Sequence, residues 1–328
     1  MLAGDVGGSN VRLRAVRGSP SARASRTTLA EGEFRTDSFG TTGPEGFASG
    51  IAHFLRERDL ERPDACCIAA AGPVQPDSSV SLTNAGITIA SDALAHELYL
   101  SNSFSAVIND FEAVGYGVLT LPPSFLLHVN GSRPQPSQPI VVIGSGTGLG
   151  EAVLTFDSGL GDYAVWPSEG SHCAFGAVGQ RQRELAASVE HELGECEVEH
   201  ICSGSGLERL CAFTSSGSLH LSAADVVSRA SDGDSRCGEA IELFLSALGQ
   251  EAASLALKVL ASGGVYIAGG IPPKLGESRL LDGTLRNAFE SPSSRFASLR
   301  ASFPLQVVNT SDSVGLRGAA EYAFRTCA

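Results

Sequence analysis

The chain has 328 residues, 43% of them hydrophobic, and a formal net charge of −13, so it can bury one large core or two moderate ones, and its length favours two domains. Only two lysines, Lys258 and Lys274, stand against twenty-one arginines, which leaves no basic patch for a phosphate backbone and argues against nucleic acid or an anionic membrane as partner. Eight scattered cysteines without framework spacing suit reduced thiols, and no charged leader followed by a long apolar run precedes the first strand, so the expectation is a cytoplasmic protein with a small ligand.

Residues 2–5 and 11–16 read as strands joined by the Gly7-Gly8 turn, a hairpin with an exposed glycine tip where a positive φ and close backbone approach are cheap. A polar strand is expected over 33–39, a helix over 44–58, a buried strand over 65–71 closed by Gly72-Pro73, and a helix over 91–98. Residues 104–109 make another buried strand, and a helix follows Asp110. After a Pro-, Gly- and Ser-bearing connection at 130–139, the run 140–143, a glycine turn, 151–156 and 163–166 repeats the opening strand, hairpin, strand, strand. Helices are expected over 179–193, 222–229 and 239–261, a buried strand over 265–268 closed by Gly269-Gly270, and a final helix over 314–325. The weakly charged stretches 113–129 and 260–273 are too short or too broken by Pro and Gly to span a bilayer.

The most informative run is Val107-Ile108-Asn109-Asp110-Phe111. An apolar strand delivers an amide and a carboxylate to its carboxyl end, although an acidic residue at that place is more often a helix cap. Two glycine-rich turns accompany it, Gly4-Asp5-Val6-Gly7-Gly8-Ser9-Asn10 and Gly144-Ser145-Gly146-Thr147-Gly148-Leu149-Gly150, together with Glu169-Gly170-Ser171-His172. No Gly-Lys pair exists in the chain, which excludes a P-loop, and the spacing of Gly144, Gly146 and Gly148 does not match the dinucleotide fingerprint. What remains is a β-hairpin tip whose backbone N–H groups point at an anion, with Ser9 and Thr147 adding hydroxyl donors; an ordinary Gly-rich hairpin is the competing reading of either loop alone, and two equivalent loops in duplicated halves weigh against it. The group His191, Cys196, His200 and Cys202 lacks the paired short spacings of a structural zinc site.

Taken in order, these segments, with Ser203-Gly204-Ser205-Gly206-Leu207 and Ile267-Ala268-Gly269-Gly270-Ile271, resemble the bacterial-type ATP-dependent glucokinase family over nearly the whole chain. The resemblance implies an α/β, duplicated actin-like (ribonuclease H-like) fold with two domains and an intervening cleft that closes on the sugar and excludes water. The small domain would comprise residues 1–109 plus 312–328 and the large domain 110–311. The implied reaction moves the γ-phosphoryl group of ATP to the 6-hydroxyl of D-glucose, in a homodimer.

Carried over residue by residue, the resemblance makes Asp110 the base that takes the proton of the attacking hydroxyl, with Asn109 holding neighbouring sugar hydroxyls. Glu169, His172 and Glu199 would grip the sugar; a solvated Glu at a helix end is the competing reading of Glu199. Asp5 would face the Mg2+ that arrives with ATP, through water. Gly7, Gly8, Ser9, Asn10, Gly146, Thr147 and Gly148 would line the phosphates, and Gly269 and Gly270 the adenosine. Ser171 and Ser9 stand where the family has glycine and threonine, and the cysteine-rich zinc motif of the related ROK sugar kinases is missing. A kinase for another hexose or hexosamine, or a non-catalytic sugar-sensing protein of the same fold, uses the same residues and stays open at this point.

Overall fold

Alternation along strand β1 (Leu2–Val6) sends Leu2 and Val6 to one apolar cluster and Ala3 to another, so the strand is covered on both faces and Asp5 shares the face of Ala3. β1 pairs antiparallel with β2 (Asn10–Arg17) and parallel with β4 (Cys66–Ala70). With β3 (Thr27–Arg35) beside β2 and β7 (Ser105–Asn109) parallel to β4, the sheet order is β3-β2-β1-β4-β7. Helices α1 (Pro44–Glu57) and α2 (Ser91–Leu98) cover one face through Phe47, Ile51, Phe54 and Leu94. Helices α3 (Asp110–Val118) and α13 (Val314–Thr326) cover the other through Ala113, Leu316, Ala320 and Phe324.

The structure, a computed structural model, describes residues 1–8, 10–19, 26–39, 44–82, 86–101 and 104–326. It divides into two compact units, Met1–Leu121 with Asp312–Ala328, and Pro122–Ser311. The first unit thus takes in residues 110–121, which the sequence reading assigns to the large domain. The reason is backbone packing between α3 and α13. A side chain on Gly318 would run into the Ala113 carbonyl, and one on Gly117 into the Val314 carbonyl, so two glycines let these helices approach closely.

The second unit repeats the plan. β9 (Ile140–Ser145) pairs antiparallel with β10 (Leu149–Asp157) and parallel with β12 (Gly264–Ala268), β11 (Asp162–Ser168) flanks β10, and β13 (Leu305–Val308) is parallel to β12. The order β11-β10-β9-β12-β13 matches β3-β2-β1-β4-β7 strand for strand, with the short β8 (Leu126–His128) added at one edge. The core of this unit is organised by α8 (Ser235–Val259), whose Phe244, Leu245, Leu248 and Ala252 are buried. By length and composition α8 is apolar enough to cross a membrane, but 67% of its apolar window is buried within the unit, as in the core helix of a soluble protein.

One expectation is corrected, and two local features go beyond the sequence reading. The strand expected over 33–39 runs instead from Thr27 to Arg35, and a 3-10 turn occupies Thr36–Ser38; pairing with β2, rather than apolar content, holds this polar segment extended. The four-residue strands β5 (Ser79–Leu82) and β6 (Ile87–Ala90) form a separate hairpin that so short a pattern did not signal. Neither Gly7 nor Gly8 adopts a positive φ, so what glycine supplies at this tip is open space around Gly8 rather than left-handed backbone.

Candidate active site

In the first unit, the candidate residues gather at the carboxyl ends of the parallel strands β1, β4 and β7, where open α/β sheets place their ligands. Asn109 ends β7 and is the N-cap of α3: its Oδ1 accepts from the backbone N–H groups of Phe111 at 2.8 Å and Glu112 at 3.2 Å, and its Nδ2 donates to the Gly72 carbonyl at 3.1 Å. The cap is therefore the amide, not the carboxylate. Asp110 occupies the first helical position, half-buried, with Oδ1 accepting from the Phe111 N–H at 3.0 Å. Glu112 completes a reciprocal capping box, its carboxylate steadied by the Asn109 backbone N–H while burial pushes its pKa up to about 7. The helix start on which Asp110 sits is thus fastened from both sides.

Asp5 lies at the other end of the same structural logic. Its Oδ2 accepts from the Ser313 hydroxyl at 3.1 Å, and Ser313 Oγ in turn accepts from the Leu316 N–H at 3.2 Å at the start of α13. A Cβ on Gly315 would stand 3.2 Å from the Asp5 carboxyl, so glycine there admits the carboxylate to the helix N-terminus. Burial pushes the Asp5 carboxyl above its usual range, opposed by the Ser313 hydroxyl and by Arg12. A carboxylate at a sheet end offers oxygen to a hard cation with its own water, and a cation bound there would favour the ionised form that burial opposes. Asn10 donates to Glu33 Oε1 at 2.9 Å on the exposed side of the hairpin. Ser9 lies outside the described residues.

In the second unit the glycine turn after β9 is enclosed by two other segments. The Gly204 N–H donates to the Gly146 carbonyl at 2.8 Å, and Ser145 Oγ donates to the Cys202 carbonyl at 2.6 Å. Glu199, in the short helix α5 (Glu199–Cys202), accepts from the Leu149 N–H at 2.8 Å through Oε2. A Cβ on Gly148 would sit 2.6 Å from that oxygen, so Gly148 is glycine in order to admit Glu199. Gly269, at φ +96° after β12, presses on the Ser145 backbone, whereas Gly270 and Gly146 face open space. The amides of Gly7 and Gly146 close their own turns, donating to the carbonyls of Asn10 at 2.9 Å and Gly148 at 2.8 Å. The sequence reading counts them among the donors for an anion, but they are already engaged; among the described residues, exposed Gly8, Thr147 and Gly148 remain.

Beyond β11 a 3-10 turn over Gly170–His172 presents Glu169 and His172, whose carboxylate and Nε2 are 3.8 Å apart. Opposite them, Cys173–Phe175 pairs with Cys196–Val198 through backbone bonds of 2.8 and 3.0 Å. This brings in Glu197, which the sequence reading misses: its Oε2 is 2.8 Å from His172 Nδ1. The hydrogen bond to Glu197 raises the His172 pKa, with Glu199 and Glu169 adding in the same sense. Glu169, His172 and Glu199 therefore do come together, with a third carboxylate, Glu197, orienting the imidazole.

Two sheets of one order, each with a glycine hairpin at its start, and a cluster of carboxylates around an imidazole define a sugar kinase of the two-domain actin-like fold. The Glucokinase family model matches residues 2–326, and the chain belongs to that family. It is 32% identical to a glucokinase of Nostoc sp. (strain PCC 7120), over 99% of both chains. It superposes on the crystal structure of a glucokinase from an Antarctic psychrotroph with a TM-score of 0.84, at 27% identity over 99% of this chain and 98% of that one. A ROK family glucokinase from Streptomyces griseus, solved in complex with glucose and AMPPNP, shares the fold with a TM-score of 0.67 at 18% identity, over 99% of both chains.

Proposed function

We propose that this protein is an ATP-dependent glucose kinase that transfers the γ-phosphoryl group of ATP to the 6-hydroxyl of glucose, giving glucose 6-phosphate and ADP. The observation that carries this reading is the convergence of Glu169, His172 and Glu199 beside the glycine turn, in a chain matched by the family model over residues 2–326. Such a set offers several acceptors and a charged donor to a polyhydroxyl ligand, and penalises a sugar that leaves any of them unpaired.

Asp110 is the proposed base. Phosphoryl transfer passes through a loose transition state, so the base orients the hydroxyl and takes its proton late, while positioning supplies most of the rate. Asn109 has committed its oxygen to the cap and one amide hydrogen to Gly72, which leaves one N–H to donate to a sugar hydroxyl. Asp5 is the residue that would hold magnesium, through water, and the metal supplies charge neutralisation on the phosphates when bound. Gly8, Ser9, Asn10, Thr147 and Gly148 are assigned to the phosphates, with Gly7 and Gly146 shaping the two turns rather than donating, and Gly269 and Gly270 to the adenosine. That the S. griseus relative was solved with glucose and AMPPNP supports the choice of substrates. A cytoplasmic homodimer completes the proposal.

The test is ADP release from ATP and Mg2+ across a panel of hexoses, for the native protein and Asp110→Ala. Glucose-stimulated turnover that collapses in the variant supports both substrate and base. Preference for another hexose overturns the sugar assignment, and no stimulation by any sugar overturns the catalytic reading.

A further inference from the structure

Strand β10 breaks its own pattern at one position. Leu149, Glu151 and Val153 alternate onto the face that packs on the core around α8, and Glu151 pairs in register with fully buried Ile143. A carboxylate thus stands where the period demands a hydrophobe, fully buried, and neither of its oxygens has a hydrogen-bond partner. Such a violation of the binary pattern costs stability and is expected where function requires it. Its location specifies the function: a side chain on Gly170 would collide with Glu151 Oε2, so the carboxyl lies directly under the turn that presents Glu169 and His172.

We propose that Glu151 is a positioning residue for the sugar-gripping turn, its neutral form supporting residues 169–172 in the geometry described and its ionised form displacing Gly170 and weakening sugar binding. The inference rests on the assignment of Glu169 and His172 to the sugar.

The groups that act on Glu151 are Glu251 and Lys258 of α8, and the Cys202 thiol at the end of α5 is raised by it in turn; of the turn above, Gly170 is the residue against the carboxyl. Burial dominates and Glu251 adds to it, against the opposing pull of Lys258, so the Glu151 carboxyl is pushed up to about 7. Glu251 is itself raised by burial, and Cys202 well above the ordinary thiol value by burial, Glu251 and Glu151. The carboxyl is therefore neutral on the acid side of pH 7 and charged, without a hydrogen-bond donor, on the alkaline side. Linkage makes the coupling reciprocal: if the proton favours sugar, sugar must favour the proton.

The experiment is the glucose KM and kcat from pH 6 to pH 8.5 for the native enzyme, Glu151→Gln and Glu151→Leu. The two variants replace the carboxyl by a neutral isostere and by the hydrophobe the strand pattern calls for, so a folding failure in one leaves the other. For the native enzyme the KM is expected to rise by about fivefold or more through pH 7, and this rise should be absent from at least one folded variant while kcat keeps its native pH profile. Identical KM profiles in native and variant enzymes overturn the inference alone. Absence of glucose-dependent turnover in the native enzyme overturns the reading on which it rests.

Discussion

Glu197 Oε2 lies 2.8 Å from His172 Nδ1, across a backbone pairing that joins two segments 25 residues apart. Because the bond favours the protonated ring, His172 has a raised pKa. What the pair contributes is present below the ordinary histidine pKa and is lost as pH rises through the raised one.

Replacing Glu197 with Gln should lower the His172 pKa, read as a shift of the ring-proton titration to more acid pH in an NMR experiment. The glucose KM should rise roughly tenfold near neutral pH, the scale of one charged hydrogen bond. An unmoved titration would mean that Glu197 does not orient the ring.

Asn109 is a structural cap as well as a proposed sugar ligand, and two substitutions separate the roles. Asn109→Ala removes the acceptor for the Phe111 and Glu112 amides and should cost about 1 kcal/mol in denaturant unfolding. Asn109→Asp keeps an N-cap acceptor but has no hydrogen to donate, so it should recover most of that stability while the glucose KM stays raised. Recovery of both together would leave the cap as the only role.

Gly148→Ala places a Cβ 2.6 Å from the Glu199 carboxylate, whereas Gly146→Ala places one in open space. The first should raise the glucose KM on the order of tenfold or more, since small misplacements of a ligand-orienting group are costly. The second should leave the glucose KM near native. Equal effects of the two would show that Glu199 is not what Gly148 accommodates.

Glu112 links the folding of the first unit to pH. Its carboxyl is pushed from the ordinary 4.5 to about 7 by burial, so between those values the folded chain holds a proton that the unfolded chain releases. Stability is then highest below about 4.5 and falls as pH rises towards 7, by up to about 1.4 kcal/mol per pH unit from this group. Above pH 7 its contribution is flat. Glu112→Gln should flatten the slope of urea-unfolding free energy between pH 5 and pH 7; an unchanged slope assigns that proton elsewhere.

The elements legible in the sequence are those with local causes. Asp110 follows an apolar run and starts a helix, and both glycine hairpins lie between strands whose alternation is visible residue by residue. The repeated order of the two sheets follows from the same patterns taken twice. Less visible were short elements such as β5 and β6, four residues each, because so few residues carry no measurable period. The role of Asp5 is one that only the family resemblance implies, and its Ser313 partner comes from just before the last helix, 308 residues away in the chain.

The sequence by itself determined the two-unit plan, the family, and which carboxylates and glycines stand at strand ends, because alternation, turn chemistry and short motifs are properties of neighbouring residues. Only the tertiary structure decided that Asn109 rather than Asp110 caps the helix, that Glu197 orients His172, that Gly148 makes room for Glu199, and that Glu151 lies unpartnered beneath Gly170. Each of these depends on hydrogen-bond geometry or on burial set by packing, and no local pattern encodes either.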